Sequence, residues 1–435
     1  MNEPHVPLAS FQCEAIKWWK ENGHQGVIAL PFGLGSTLVA RTALTESPTP
    51  VVTVVVCTTL SEVETMVDDL TGDAVVELSH NGANEESAKS RLEELQTNNL
   101  RSIVFVTTIQ SWEQYELQSE IANLDEVTVQ LFIPDADRVY DSHLASLSCL
   151  DPDRTLGISM IPEDRRDRFG ATLDQDEMYD ALFDKNLYSY SLVQAIEDRF
   201  LRPFNYYPII ARSKPAELTT IQDKLATAAV TSGESRFAAM VQAARTQRKA
   251  GNRVELISQL LQRNPPTPMV LICNEKHTGE QVLESLQNQG YRSSLLSSSL
   301  PPSERSETLE AYFHGETEYL VATVAALDMS IELDAIGSAV IVSSSKQGLA
   351  EYRCLNQLLM GSELKKVEYN PVEIYEIVTF PHEKATAEND VVERILRDAT
   401  NLMRILIDAS IDRHDTEYRL YRQLDEFGFG HLVYE

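Results

Sequence analysis

Two short stretches have the form of phosphate-handling motifs. The first is Leu30-Pro31-Phe32-Gly33-Leu34-Gly35-Ser36-Thr37. It lies between a strand pattern and a helix pattern, where backbone N–H groups at a helix N-terminus wrap phosphate oxygens. A working loop of this kind carries lysine at the place of Ser36, because the ammonium neutralises the β- and γ-phosphates. Serine has no charge to offer. Two glycines in a strand-to-helix turn also answer purely steric needs, and that reading stands beside the chemical one. The second stretch, Pro134-Asp135-Ala136-Asp137-Arg138, ends an apolar run at the C-terminal edge where open α/β sheets set their sites. Asp135 and the Thr37 hydroxyl are the residues to hold Mg²⁺ if a magnesium nucleotide binds. The Ala136 methyl accepts no proton, so the neighbouring base that would activate water is missing, and Asp137 stands one residue too far along to be assumed its substitute.

Elements that would position these residues are legible as apolar patterning. β-Branched runs at Gly26 to Leu30, Val51 to Cys57, Ile103 to Thr107, Val127 to Ile133 and Thr155 to Ser159 alternate with amphipathic stretches at Phe11 to Asn22, Thr37 to Thr45, Leu60 to Leu70 and Ala88 to Gln96. That rhythm predicts a parallel sheet wrapped in helices. A polar, Pro-punctuated stretch from Pro162 to about Pro215, with an aromatic cluster at Phe200 to Tyr207, reads as a connection between domains. The rhythm then repeats. Helical patterns at Ser235 to Asn264 and Thr278 to Gly290 alternate with strands at Met269 to Cys273, near Ser293, and at Tyr319 to Thr323, Ala339 to Ser343 and Glu373 to Thr379. In the last segment Val391, Ile395, Leu396, Ala399, Leu402, Met403 and Leu406 form one helical stripe, expected to dock on the second domain.

Composition narrows the class. A chain of 435 residues with 43% hydrophobic content can bury more than one core. It has no apolar run of about 20 residues, and Met1 to Lys20 lacks a signal peptide's unbroken apolar stretch, so a cytoplasmic protein without a membrane span is expected. Cys13, Cys57, Cys149, Cys273 and Cys354 are scattered, with no metal-binding spacing, and read as reduced thiols. Against 66 Asp and Glu stand only 37 Lys and Arg, a net charge of -29. Such a surface repels phosphates. It suits a halophile's salt-rich cytoplasm, where screening is short-ranged and stability should rise with molar salt; the competing reading is a protein that avoids nucleic acid.

Taken in order, the motifs resemble those of the superfamily 2 DEAD/DEAH-box helicases, and within them the XPB-like DNA translocases. Leu8-Ala9-Ser10-Phe11-Gln12 resembles the element whose glutamine contacts adenine, and Ile28 to Thr37 resembles motif I. Cys57-Thr58-Thr59-Leu60 falls at motif Ia, Thr107-Thr108-Ile109-Gln110-Ser111 at the T-x-x-Q-S segment, and Asp135 to Arg138 at D-E-A-H. Leu156 to Pro162 is similar to motif III, and Tyr190-Ser191-Leu192 with Ala195 to Asp198 to the segment leading into the second lobe. Met269 to Cys273 resembles motif IV, Leu327 to Glu332 motif V, and Glu351 to Gly361 lies where motif VI belongs. The resemblance implies two RecA-like parallel-sheet lobes in tandem, residues 1–202 and 203–380 with the connecting segment in the second, then a C-terminal helical extension over 381–435.

Departures from the family pattern fall on its catalytic side chains. Ser36 replaces the phosphate-binding lysine, Ala136 the catalytic glutamate and Ser330 the motif V glycine. Cys354, Leu355, Leu358 and Gly361 stand at the motif VI glutamine and its three arginines. An arginine finger is worth roughly 10³ to 10⁵ in rate and a base about 10² to 10⁴, so their joint loss, though not additive, leaves background hydrolysis. The expected protein is a pseudoenzyme that requires no cofactor, with Gln12, Gly33, Gly35, Ser36, Thr37 and Asp135 a vestigial site for ATP and Mg²⁺. Leu355 and Leu358 suggest that the surface between the lobes has become apolar. DNA or RNA would meet the basic residues Arg165, Arg166 and Arg168, and Arg245, Arg248, Lys249 and Arg253, each of which also reads as a solvated, ion-paired face. A protein partner is expected. The alternative is a DNA-dependent ATPase or translocase whose missing groups come from a partner in trans.

Overall fold

The computed structural model describes residues 8–31, 33–46, 48–70, 74–78, 85–97, 99–114, 117–139, 143–160, 176–230, 239, 242–243, 246, 251–327, 336–342, 349–360, 370–380 and 403–425. The chain divides into two compact units, with the boundary between Ser191 and Leu192.

In the first unit, β1 (Gln25–Ala29), β2 (Val51–Cys57), β3 (Ala74–Leu78), β4 (Ser102–Thr108), β5 (Thr128–Ile133), β6 (Arg154–Ser159) and β7 (Leu187–Ser189) form one sheet in the order β3-β4-β2-β5-β6-β1-β7. Every pairing is parallel. All seven residues of β2 are buried, which is why a parallel strand covered on both faces reads as an unbroken apolar run. Trp19, on the helix Ser10–Glu21, donates its indole N–H to the Thr155 carbonyl at 2.8 Å, joining that helix to β6.

His24 turns the chain from this helix into β1 at φ 63°, with its ring edge-on to Trp19 at 4.9 Å. Burial, then the charges of Arg154 and Lys20, lower its pKa below 6.5. The unfolded state therefore takes up this proton first, and stability falls as pH drops through 6.5 toward the lower native value. His24→Asn keeps a residue that tolerates positive φ. Between pH 7.5 and 5.5 the wild type is expected to lose more thermal stability than this variant, and the His24 ring protons to titrate below 6.5 by NMR.

The second unit repeats the plan. β8 (Phe204–Arg212), β9 (Met269–Cys273), β10 (Ser293–Leu296), β11 (Tyr319–Thr323), β12 (Ser338–Ile341) and β13 (Val372–Phe380) lie in the order β10-β11-β9-β12-β13-β8, again all parallel. The two sheets match the expected pair of RecA-like lobes. One expectation changes: the stretch read as a connection contributes an edge strand to each sheet, β7 to the first and β8 to the second. Pro208 sits in the middle of β8, which an edge strand accepts because no ladder bond is needed on its open side. In the C-terminal segment, Ile411 N–H donates to Phe204 O at 3.0 Å and Thr416 Oγ1 to Tyr206 O at 3.3 Å, docking it on β8. Met403 and Leu406 of the expected stripe are buried; Val391, Ile395, Leu396, Ala399 and Leu402 lie outside the described residues.

Candidate nucleotide and nucleic-acid site

Parallel strands carry all their C-terminal ends to one edge of the first sheet, which brings the loop after β1 and the turn after β5 to the same side, with β6 between them. The loop is shaped by glycine. Gly33 has φ 84° and Gly35 φ 77°, and Gly35 is the left-handed N-cap of the helix Ser36–Thr45. A Cβ on Gly35 would stand 2.5 Å from Gln12 Nε2. Gln12 itself is buried, its Oε1 accepting from Ala9 N–H at 2.8 Å and its Nε2 donating to Leu34 O at 2.8 Å. One side chain therefore caps its own helix and holds the loop in place. Ser36 and Thr37 open the following helix, half-buried, where N–H groups and the positive end of the dipole face outward. Phe32 lies outside the described residues.

At the end of β5 the three successive side chains take different surroundings. Asp135 is 4% exposed and meets Arg138 through Oδ2 and Nε at 3.2 Å. Ala136 is fully buried and belongs to the hydrophobic cluster that includes Ile133, Val139 and Leu147. Asp137 turns to β6, accepting from Ser159 Oγ at 2.6 Å and Met160 N–H at 2.8 Å. That use could not be read from spacing along the chain. Burial, with the charges of Glu62 and Asp135, pushes the Cys57 thiol well above its ordinary range, so it stays protonated. Neighbouring motif residues also serve local structure. Thr59 Oγ1 accepts from Glu62 N–H at 3.2 Å, while Glu62 Oε2 accepts from Thr58 N–H at 2.8 Å, a capping arrangement for the helix Leu60–Asp69. Thr108 likewise accepts from Ser111 N–H at 3.1 Å.

In the second unit the helix Leu349–Leu359 buries Glu351, Arg353, Cys354, Leu355, Asn356 and Leu358. Arg253, read from its neighbours as a basic-surface residue, is 6% exposed. It donates to the carbonyls of Val342 and Ile377 and to Thr379 Oγ1. It braces the strand ends of this sheet and offers no free face to a phosphate. Arg165, Arg166, Arg168, Arg245, Arg248, Lys249, Asp328 to Glu332 and Gly361 lie outside the described residues. Sequence reasoning passed over a second feature of this unit, a cleft of about 570 Å³ beside β8 lined by Tyr207, Tyr375, Arg263, Arg419 and Gln423. Its only sequence signal was the aromatic cluster ending at Tyr207.

Comparison with known proteins agrees with this architecture. Residues 252–357 match the helicase conserved C-terminal domain. The chain is 34% identical over 83 residues to the ATP-dependent RNA helicase RhlB of Pseudoalteromonas atlantica, a match covering 19% of this chain and 20% of that protein. It is 35% identical over 71 residues to RhlB of Shewanella halifaxensis, 16% of each. The chain thus spans at most a fifth of the length of these relatives. By fold it is similar to the Pyrococcus furiosus Hef helicase domain, with a TM-score of 0.50, 13% identity, and coverage of 85% of this chain and 95% of that one. It is also similar to the ATP-dependent Type ISP restriction-modification enzyme LlaBIII bound to DNA, with a TM-score of 0.60 and 13% identity, over 98% of this chain and 32% of that one. The chain is helicase-like, with two sheets of the kind those structures carry.

Proposed function

We propose that this helicase-like chain is a pseudoenzyme, a catalytically inactive relative of the XPB-like translocases its motifs resemble, which binds nucleic acid or steadies a protein partner in DNA metabolism or defence. The observation that carries this reading is Ala136, a methyl group sealed in the hydrophobic core at the position where the resemblance puts a catalytic carboxylate. Ser36 supports it from the other side of the site by bringing no cation to the helix that would face a terminal phosphate.

Thr37 and Asp135 offer two oxygen donors, and Mg²⁺ bound to a nucleotide often takes no more than that from protein. Asp135 is already ion-paired with Arg138. With Ser36 in place of lysine, the donor set does not fit a hydrolysable magnesium nucleotide, and no hydrolytic step is assigned to it. What remains for a nucleotide is a backbone cradle at a helix N-terminus, which suits weak binding. The neighbour bound to DNA is a restriction-modification enzyme, and an assembly of that type is a setting in which a silent translocase-like subunit would position DNA or an active partner.

The test is ATP hydrolysis by the purified chain, alone, with single- and double-stranded DNA, and with proteins that co-purify from its source, beside binding of labelled DNA. Background turnover with measurable DNA binding is expected. DNA-stimulated turnover at ordinary translocase speed that vanishes in Asp135→Ala would overturn the proposal and favour an ATPase completed in trans.

A further inference from the structure

The cleft beside β8 has a chemistry that the helicase-like motifs do not use. Tyr207 and Tyr375 stack across β8 and β13, with ring centroids 5.1 Å apart and planes 24° from parallel. The Arg419 guanidinium lies 5.9 Å from the centre of the Tyr207 ring, and its Nε donates to Asp415 O within its own helix at 3.1 Å. Arg263, exposed just past the helix Arg253–Leu261, lines the same space. Neither arginine makes an ion pair among the described residues. Other surface arginines do: Arg292 meets Glu318 at 2.6 Å, Arg91 meets Glu94 at 2.8 Å, and Arg413 meets Asp408 and Glu417. In a chain of net charge -29, two cations without an ion pair among the described residues line one aromatic cleft. The carboxylates acting on the tyrosines are Glu373, which accepts from the Tyr375 hydroxyl, and Asp412.

An extended peptide adding to the edge of β8 is a poor occupant. Phe204 O and Tyr206 O already accept hydrogen bonds from the C-terminal segment, and Pro208, next in that outward-facing register, has no N–H to give. A planar group that stacks on a ring and carries negative charge fits better. The cleft's volume of about 570 Å³ lies within the usual span of small-ligand sites, roughly 300 to 1,000 Å³.

We infer that this cleft binds a phosphorylated nucleoside, the base against the Tyr207 and Tyr375 rings and the phosphate between Arg263 and Arg419. The source preferred is a nucleotide within a single strand, a preference that rests on the nucleic-acid-binding reading above; a free nucleotide shares the chemistry. Aromatic platforms flanked by cations hold single strands without reading their sequence.

The experiment measures fluorescence anisotropy of a 5′-fluorescein dT15 oligonucleotide and, separately, fluorescence of N-methylanthraniloyl-ADP. The proteins are the full chain, Tyr207→Ala, the double variant Arg263→Gln/Arg419→Gln, and Arg422→Gln as a control on the same helix. Losing a base platform should weaken dT15 binding about 5- to 150-fold. Removing both cations should lower the slope of log affinity against log salt by about 1.4, from roughly 0.7 per phosphate contact on a single strand. The double variant changes only exposed side chains, so its result stands even if Tyr207→Ala folds poorly. Loss confined to the nucleotide probe supports the site with a free nucleotide as its ligand. If both probes bind wild type and all variants alike, the cleft proposal is overturned and the nucleic-acid reading survives. Wild-type protein that binds neither probe overturns both.

Discussion

Ala136→Glu is expected to destabilise the first unit strongly and to restore no turnover. The side chain it replaces has no exposed surface and sits in the cluster with Ile133, Val139 and Leu147. A glutamate there has to expel packed methyl groups or bury its carboxyl without a partner. Its neighbours worsen the position, because Asp135 and Asp137 are both 4% exposed and a third carboxylate between them adds like-charge repulsion. The combined cost is about 3–5 kcal/mol, in the range reserved for unpaired buried charge. At roughly 2–4 °C per kcal/mol for a domain of this size, the melting temperature falls by about 6–20 °C. The neutral analogue Ala136→Gln keeps the volume penalty and loses the charge, so it should melt between the two. Adding Ser36→Lys supplies the missing cation at a half-buried helix start and should bring no DNA-stimulated hydrolysis. A Ser36→Lys/Ala136→Glu protein that melts like the wild type and hydrolyses ATP in response to DNA would mean that position 136 opens onto the site, and the pseudoenzyme reading would lose its main support.

Much of this architecture can be read before any coordinates, for a physical reason that also marks the limit. Strands buried on both faces, such as Val51–Cys57 and Met269–Cys273, are uninterrupted apolar runs and stand out at once. β3 escapes that reading because it lies at the sheet edge and exposes Glu77. β8 escapes it because a mid-strand proline looks like a break, and only its place at the sheet edge makes Pro208 acceptable. The side chains of the site divide in the same way. What is absent at Ser36 and Ala136 is visible in residue types alone. What Gln12 and Asp137 do depends on atoms more than twenty residues away in the chain, the carbonyl of Leu34 for one and the hydroxyl of Ser159 for the other. Charge counting fails for the same reason at Arg253, since a run of basic residues says nothing about which of them turns inward.

Arg253 provides the second large effect. Its guanidinium is 6% exposed, and burial lowers its pKa to about 10, opposed by the nearby Cys273 thiol and the Glu217 and Glu376 carboxylates, so it remains cationic at neutral pH. It donates to Ile377 O at 3.2 Å, to Thr379 Oγ1 at 2.6 Å and to Val342 O, tying the end of β13 to the residue that follows β12. Arg253→Met keeps most of the apolar stem and removes every donor, leaving buried carbonyls without the cation that answered them. The expected loss is about 2–4 kcal/mol, a fall of roughly 4–16 °C in the melting of the second unit. Arg263→Met, just beyond the same helix but exposed, should change stability by no more than about 0.5 kcal/mol. The two substitutions are expected to exchange places in a DNA-binding assay held well below both melting points: Arg253→Met keeps its affinity for dT15, and Arg263→Met weakens it. An Arg253→Met protein that melts within a degree of the wild type yet releases DNA would show that this guanidinium faces a phosphate after all, because a brace cannot be removed without loosening the strands it joins.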